Sequence, residues 1–239
     1  MGREHGSSGR GGGKAGEASS PCRPPSRARH APATLRNREP ILAVLQRVLP
    51  PSGPVLEVAS GTGEHAVFFA SRLAPRLWLP SDPDPDNRAS IAAWAEATPD
   101  ARPHLLLPPR RIDVTAPCWP VEREVIAPPI TAIVAINLIH IAPIAALHGL
   151  MAGAGRILPP GGVLYLYGAM KIGGRHTAPS NAAFDRWLKE QDPRWGVRDI
   201  AEVEEAGLSH GLMLVETVPM PANNFSLVFR KEKPEPESV

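Results

Sequence analysis

Apolar residues along the chain alternate between helical spacing and short unbroken runs, and each change marks an element boundary. Ile41, Leu42, Leu45, Val48 and Leu49 share one helical face, with Asn37 placed to cap that helix and Pro40 tolerable in its first turn. Pro50-Pro51-Ser52-Gly53-Pro54 ends it. Residues 55–58 read as a first strand, and the apolar run 66–70 opens a helix ending near Leu73. Residues 77–80 form a short second strand, followed by a helix from about Pro85 that carries Ile91, Trp94 and Ala95. Residues 104–107 hint at a third strand. Residues 130–136, β-branched and apolar throughout, read as a fourth strand covered on both faces. A helix over 144–158 and a Pro-Pro-Gly-Gly turn lead into a fifth strand at 163–167. This alternation predicts an α/β fold, a doubly wound, mostly parallel sheet. The ending differs: residues 212–218 and 225–229, joined by Pro219-Met220-Pro221-Ala222-Asn223-Asn224, suit an antiparallel hairpin.

Composition narrows the possibilities. Of 239 residues, the first 28 or so are rich in Gly, Ser, Arg and Pro and read as a disordered tail. Residues 29–231 are expected to form one domain, and 232–239 a short polar tail. An Arg-rich targeting peptide is the alternative for the front, with Glu4, Glu17 and the glycines against it. The formal charge is only +2, and much of the basic excess lies in that front, so a nucleic-acid partner has little electrostatic basis. Residues 130–147 are apolar enough to suggest a membrane span, but Asn137, His140 and Pro143 interrupt them. Two cysteines, no metal-ligand spacing and no apolar leader segment lead us to expect a soluble, cytoplasmic protein without a metal.

The chemistry is concentrated after the first strand. Residues 55–66 place an acid, Glu57, before a Gly-x-Gly turn and a helix start, the layout of a nucleotide-type cofactor loop. The same stretch satisfies Gly-x-Gly-x-x-Ala, so a dinucleotide fits it as well. Asp82 follows the second strand, 25 positions after Glu57, close to the spacing at which an acid meets a ribose.

Several separated motifs then agree. Arg36-Asn37-Arg38-Glu39-Pro40-Ile41, Leu56-Glu57-Val58-Ala59-Ser60-Gly61-Thr62-Gly63-Glu64-His65, Pro80-Ser81-Asp82, Asn181-Ala182-Ala183-Phe184-Asp185, Trp195-Gly196-Val197-Arg198-Asp199 and Pro221-Ala222-Asn223-Asn224 stand in order. Together they resemble class I S-adenosylmethionine-dependent methyltransferases, and more narrowly the methyltransferase-like 26 family. The resemblance covers residues 29–231. It implies a Rossmann-like, seven-stranded sheet with an antiparallel C-terminal strand, and S-adenosylmethionine as cofactor. The acceptor atom, oxygen, nitrogen, sulfur or carbon, is left open by that family.

On this resemblance Glu57 anchors the methionine ammonium, and Gly61 and Gly63 admit the cofactor to the backbone. Ala59 departs from the pattern by standing where many relatives carry a first glycine. Asp82, with Asp84 as rival, would take the ribose hydroxyls, Asp113 and Val114 the adenine, and Asn137 the methionine moiety. His140 is either a catalytic base or a structural histidine. The expected substrate contacts are Tyr167, Lys171, His176, Asn181, Asp185, Trp195 and Arg198, with Asn223 and Asn224 facing the pocket or making the last turn. Arg198 is the expected carboxylate clamp. The leading reading is methyl transfer to a small molecule. Two others compete with it: a non-catalytic cofactor-binding scaffold for a protein partner, and a nicotinamide-dependent oxidoreductase using Tyr167 and Lys171, which have the Tyr-x-x-x-Lys spacing but are expected in a loop.

Overall fold

The computed structural model describes residues 27–233, so the expected tails lie almost wholly outside the described residues. Among the described residues six α-helices and eight strands follow in the order α1 (Pro32–Val48), β1 (Val55–Val58), α2 (Glu64–Arg72), β2 (Trp78–Pro80), α3 (Pro85–Ala97), β3 (Ala132–Ile136), α4 (Ile144–Ile157), β4 (Val163–Ile172), β5 (Arg175–His176), α5 (Pro179–Gln191), β6 (Arg198–Asp199), α6 (Ile200–Leu208), β7 (Leu212–Met220) and β8 (Asn224–Lys231). The sheet runs β2-β1-β3-β4-β8-β7, with β5 and β6 attached to the far end of β4. β2, β1, β3 and β4 are mutually parallel, while β8 lies antiparallel between β4 and β7.

Both faces of the central strands are buried, which explains their largely apolar composition, broken in β1 by Glu57. Leu56, Val58, Ile133, Ala135, Leu164 and Leu166 pack with α4 and α6 on one side. Val55, Ala132, Val134, Val163 and Tyr165 pack with α1 and α2 on the other. The carboxyl ends of β1 and β3 open into one crevice, the place where doubly wound sheets bind ligands.

Four expectations need correction. The first helix begins at Pro32, five residues before its expected cap. Proline needs no N–H partner there, and Asn37 instead lies inside α1 on a buried stripe with Thr34, Ile41, Leu45 and Val48. The third strand at 104–107 does not form. Arg102–His104 is a 3-10 turn, and the chain then meets β2 only at the bridges Trp78–Leu105 and Ser81–Arg110. Pro108 and Pro109, which lack N–H donors, interrupt the ladder. The fifth strand does not stop at Tyr167 but continues through Gly168 to Ile172, which places Lys171 on β4 rather than in a loop. The strand count is eight rather than seven, two of them being only two residues long.

Candidate functional site

The turn after β1 is built from left-handed backbone. Ala59, Gly61 and Gly63 have φ of 53°, 56° and 93°. Gly63 also has a packing reason, since a Cβ there would stand 2.7 Å from the Ile91 Cα of α3. The turn is tied to the end of β2: Ser60 N–H donates to Ser81 O at 2.8 Å and Gly61 N–H to Asp82 Oδ2 at 2.9 Å. Asp82 Oδ1 accepts from Asp84 N–H at 2.9 Å and from Asn87 Nδ2 at 3.0 Å. Its buried carboxylate is thus the clasp between β2, α3 and the glycine turn. Asp84, its rival, is engaged as the N-cap of α3 through Asp86 N–H at 2.8 Å.

Beneath the turn lies Glu57, 2% exposed. Trp78 Nε1 donates to its Oε2 at 3.0 Å. Burial pushes the Glu57 carboxyl up to about 7, against the bonds from Trp78 and Ser60. No cationic side chain pairs with it among the described residues. Glu57 opens into a cleft of about 440 Å³ lined also by Ala59, Gly61, His65, Asn87 and Asn137. Asn137, at the end of β3, holds φ 59°, a conformation asparagine tolerates better than most residues.

A strap just ahead of α1 covers the mouth. Arg29 N–H donates to Ser90 Oγ and Trp94 Nε1 to Arg29 O, both at 2.8 Å, and the Arg29 guanidinium meets Asn87 Oδ1. Glu64, the first residue of α2, accepts from Ala31 N–H and faces His30 Nδ1 at 3.1 Å.

Asp113 and Val114 are not among the residues lining this cleft. The Asp113 carboxyl bonds the Thr115 hydroxyl and N–H, which hold it below its ordinary value. His140 is fully buried, and neither ring nitrogen has a hydrogen-bond partner. Burial, assisted by the Arg198 charge, pulls it down to about 4. It is a neutral, sequestered histidine, and the structural alternative is the one its surroundings support.

Tyr167 and Asn224 come together with Asn37 on the α1 side of the sheet. Burial raises the Tyr167 phenol, while the Asn37 and Asn224 side chains and the Arg36 charge act the other way. Lys171, His176 and Asp185 also converge, but around Asp185 itself. That buried carboxylate meets Lys189 Nζ at 2.9 Å, Lys171 Nζ and His176 Nε2 at 3.3 Å, and Val197 N–H at 2.7 Å. Burial alone would raise it, but Lys189, the Val197 N–H and Lys171 outweigh burial and hold it at about 2. Asn181 Nδ2 donates to Asn223 O at 2.8 Å, fastening α5 to the last hairpin. Trp195 packs with Phe184 against Ala169, Leu188 and Val197. Arg198 is not a free clamp: its guanidinium donates to the carbonyls of Ile139, Ala142 and Arg194 at 2.8–3.1 Å.

His65, Asn37, Thr34 and Asn87 are the site residues that sequence reasoning missed. His65 Nε2 stands 2.8 Å from Asn37 Oδ1, its ring stacks on Phe69, and burial with the Arg38 charge lowers it to about 4. The overlooked signal was the stripe itself, since Thr34 and Asn37 are polar residues at buried helical positions. A roomier cavity, about 640 Å³, lies at the opposite end of the sheet against Pro50–Pro54 and Arg72–Leu77. There Arg76 donates to the carbonyls of Gly53 and Pro50, and no strand carboxyl end reaches it.

The sheet order and the site at the strand carboxyl ends define the Rossmann-like fold of class I methyltransferases. The chain is similar to an O-methyltransferase family protein from Burkholderia thailandensis, at 14% identity and TM-score 0.69, over 85% of this chain and 58% of that one. It is similar to an O-methyltransferase family 2 protein from Planctomyces limnophilus in complex with apigenin, at 20% identity and TM-score 0.61, over 81% and 61%. It also resembles CalO1, a methyltransferase in calicheamicin biosynthesis in its SAH-bound form, at 18% identity and TM-score 0.63, over 83% and 55%. The chain thus spans little more than half the length of these structures. Residues 28–231 match the family described as protein of unknown function DUF938, and the chain belongs to that family. No helix among the described residues is long and apolar enough to cross a membrane.

Proposed function

We propose that the protein is an S-adenosylmethionine-dependent methyltransferase, of the methyltransferase-like 26 kind, that acts in the cytoplasm on a small-molecule nucleophile. The observation that carries this reading is Glu57, a buried carboxylate that lines the cleft without a protein cation beside it. Such a group favours a ligand that brings its own positive charge, as the methionine ammonium does. A dinucleotide pyrophosphate would meet Glu57 below and Glu64 on the first turn of α2, where a phosphate needs vacant N–H groups. The oxidoreductase reading is disfavoured further because Tyr167 and Lys171 are four residues apart on a strand, roughly 13 Å, and Lys171 is paired with Asp185.

In this reading Gly61 and Gly63 admit the amino-acid part of the cofactor, Asn87, held by Asp82, faces the ribose, and Asn137 lies at the methionine end, while Asp113 and Val114 stay outside the cleft. When bound, the sulfonium supplies an electrophilic methyl group. The chain then has to align the acceptor and exclude water, which the Arg29–Ala31 strap over the mouth serves. His65, rather than His140, is the imidazole that lines the cleft. The bond to Asn37 Oδ1 fixes its proton on Nε2 and leaves Nδ1 as an acceptor. Calorimetric titration of the folded protein with S-adenosylmethionine and SAH tests the reading. Saturable binding of both is expected, and absence of binding would sink it.

A further inference from the structure

The strap ahead of α1 has no packed core of its own. No residue from 27 to 31 is buried, and the first buried position after them is Thr34, already on α1. Hydrogen bonds and the edge of one ring hold the strap to two helices. Toward α3, Arg29 N–H donates to Ser90 Oγ and Trp94 Nε1 to Arg29 O, each at 2.8 Å, and the Arg29 guanidinium meets Asn87 Oδ1. The His30 ring stands edge-on to Trp94, with centroids 4.9 Å apart. Toward α2, Ala31 N–H donates to Glu64, which His30 Nδ1 also faces.

The same bonds reach the glycine turn. Ser90, fully buried, passes the Arg29 bond on by donating to Thr62 O at 2.7 Å. Asn87 Nδ2 donates to Asp82 Oδ1 at 3.0 Å, and the other Asp82 oxygen holds Gly61 N–H. Two lines of bonds thus tie the strap to the turn. Arg29, His30 and Ala31 line the same cleft as Glu57, Gly61 and Thr62. Glu57 is only 2% exposed, so a ligand cation that reaches it has to pass the residues lining the mouth, the strap among them.

We propose that this strap is the gate through which the cofactor enters and leaves. It swings about the joint between Ala31, whose backbone is extended, and Pro32 at the start of α1, and it latches on Ser90, Trp94 and Glu64. The inference rests on the methyltransferase reading above and adds to it the step that controls cofactor exchange. A segment with no buried side chain lies at the low end of local stability, so it opens without unfolding the sheet behind it. Every donor and acceptor of the latch belongs to the chain itself. The latch therefore stabilises the closed strap equally in the free and the loaded protein, and weakening it speeds entry and release alike while affinity stays the same.

The test uses the full chain with SAH as the probe and reads both rates by surface plasmon resonance. Trp94→Phe keeps an aromatic ring but removes the Nε1 donor. Association and dissociation should both rise about fivefold, the scale of one net hydrogen bond, with Kd within about twofold of wild type. Glu64→Gln, which weakens the acceptor of Ala31 N–H, should move both rates in the same direction. Faster dissociation alone, with Kd following it, would mark a direct contact to the ligand and overturn the gate, as would rates that neither variant changes. Opening is also read without ligand, from tryptic cleavage between Arg29 and His30, followed as the fragment that begins at His30. This cleavage should be about fivefold faster in Trp94→Phe, because it tracks the population of the open strap. An unchanged cleavage rate overturns the proposal whether or not SAH binds. Failure of the folded wild type to bind SAH removes the methyltransferase reading instead and leaves the gate to be decided by the tryptic rates.

Discussion

Replacing Glu57 by Gln keeps the shape and the acceptor for Trp78 Nε1 but removes the charge, so it separates what the carboxylate does for the fold from what it does for a ligand. Its carboxyl sits at about 7 against an ordinary 4.5. At 1.36 kcal/mol per tenfold change, that gap amounts to about 3 kcal/mol. The sign follows from where the proton sits. Between the two values the folded chain holds a proton that the unfolded chain has lost, so wild-type stability falls as pH rises from 4.5 to 7 and stays reduced above. Ligand-free Glu57→Gln should therefore be more stable than wild type at pH 8 by up to about 3 kcal/mol, roughly 6–12 °C in melting temperature for a domain of this size. The gain should fade to nothing near pH 4.5. The same variant should lose most of its affinity for S-adenosylmethionine. Wild type titrated at pH 7 in buffers of different ionisation enthalpy should release about half a proton, because the ammonium drives Glu57 fully to its charged form. Urea unfolding of both proteins from pH 4.5 to 8 reads the first effect. A variant less stable than wild type at pH 8, or a difference that does not change with pH, refutes the reasoning.

Asp82→Ala removes the acceptor of three hydrogen bonds. It should cost about 3 kcal/mol in urea unfolding and weaken S-adenosylmethionine binding, whereas a change below about 1 kcal/mol would contradict the clasp. A Cβ at Gly168 would overlap the His140 ring. Gly168→Ala should cost at least about 2 kcal/mol, and His140→Ala should rescue most of it; strictly additive losses in the double-mutant cycle would show that the two do not collide. Asp185 is held at about 2 against an ordinary 3.8, so its pairing stabilises the fold by about 2 kcal/mol above pH 3.8 and loses that contribution as pH falls toward 2. Asp185→Asn should lower stability at pH 7 by that amount or more and match wild type near pH 2; equal acid sensitivity of the two proteins would count against the ion cluster.

The sequence made some features legible because their causes are local. The run at 132–136 is apolar throughout, and that at 55–58 apolar but for Glu57, because neighbours cover both faces, and composition records that directly. The Gly61 and Gly63 turn was equally plain, since nothing but backbone conformation and close packing is at stake. Arg198 was misread because its partners are remote. Side-chain chemistry marks a guanidinium as a carboxylate clamp, yet the carbonyls that hold it belong to residues 139 and 142, which only the tertiary fold brings near. His140 stayed open between a base and a structural histidine for the same reason, since its burial depends on Gly168 and Gly196 closing over it. Asn37 was mistaken for a cap because a capping residue and a buried polar residue look alike until the helix start is known. Pro32 was the better start signal.

The backbone supplies a line of evidence for the site that does not depend on side-chain chemistry. Among the described residues, the non-glycine positions with positive φ are Ala59, Asn137, Ala222 and Asn223. Each costs of order 1 kcal/mol or more, least for the asparagines. Strain without a function has no reason to gather in one place, yet these positions stand at the carboxyl ends of β1 and β3 and in the turn leading to Asn224 of β8, which pairs with β4 at Ala169. Ala59 and Asn137 line the same cleft as the buried, cation-free carboxylate of Glu57. At Ala59 a glycine would adopt the turn without a Cβ penalty, so the alanine methyl is retained against stability. The residue lines the cleft, and on the proposed methyltransferase reading contact with the cofactor would be the physical reason for keeping it.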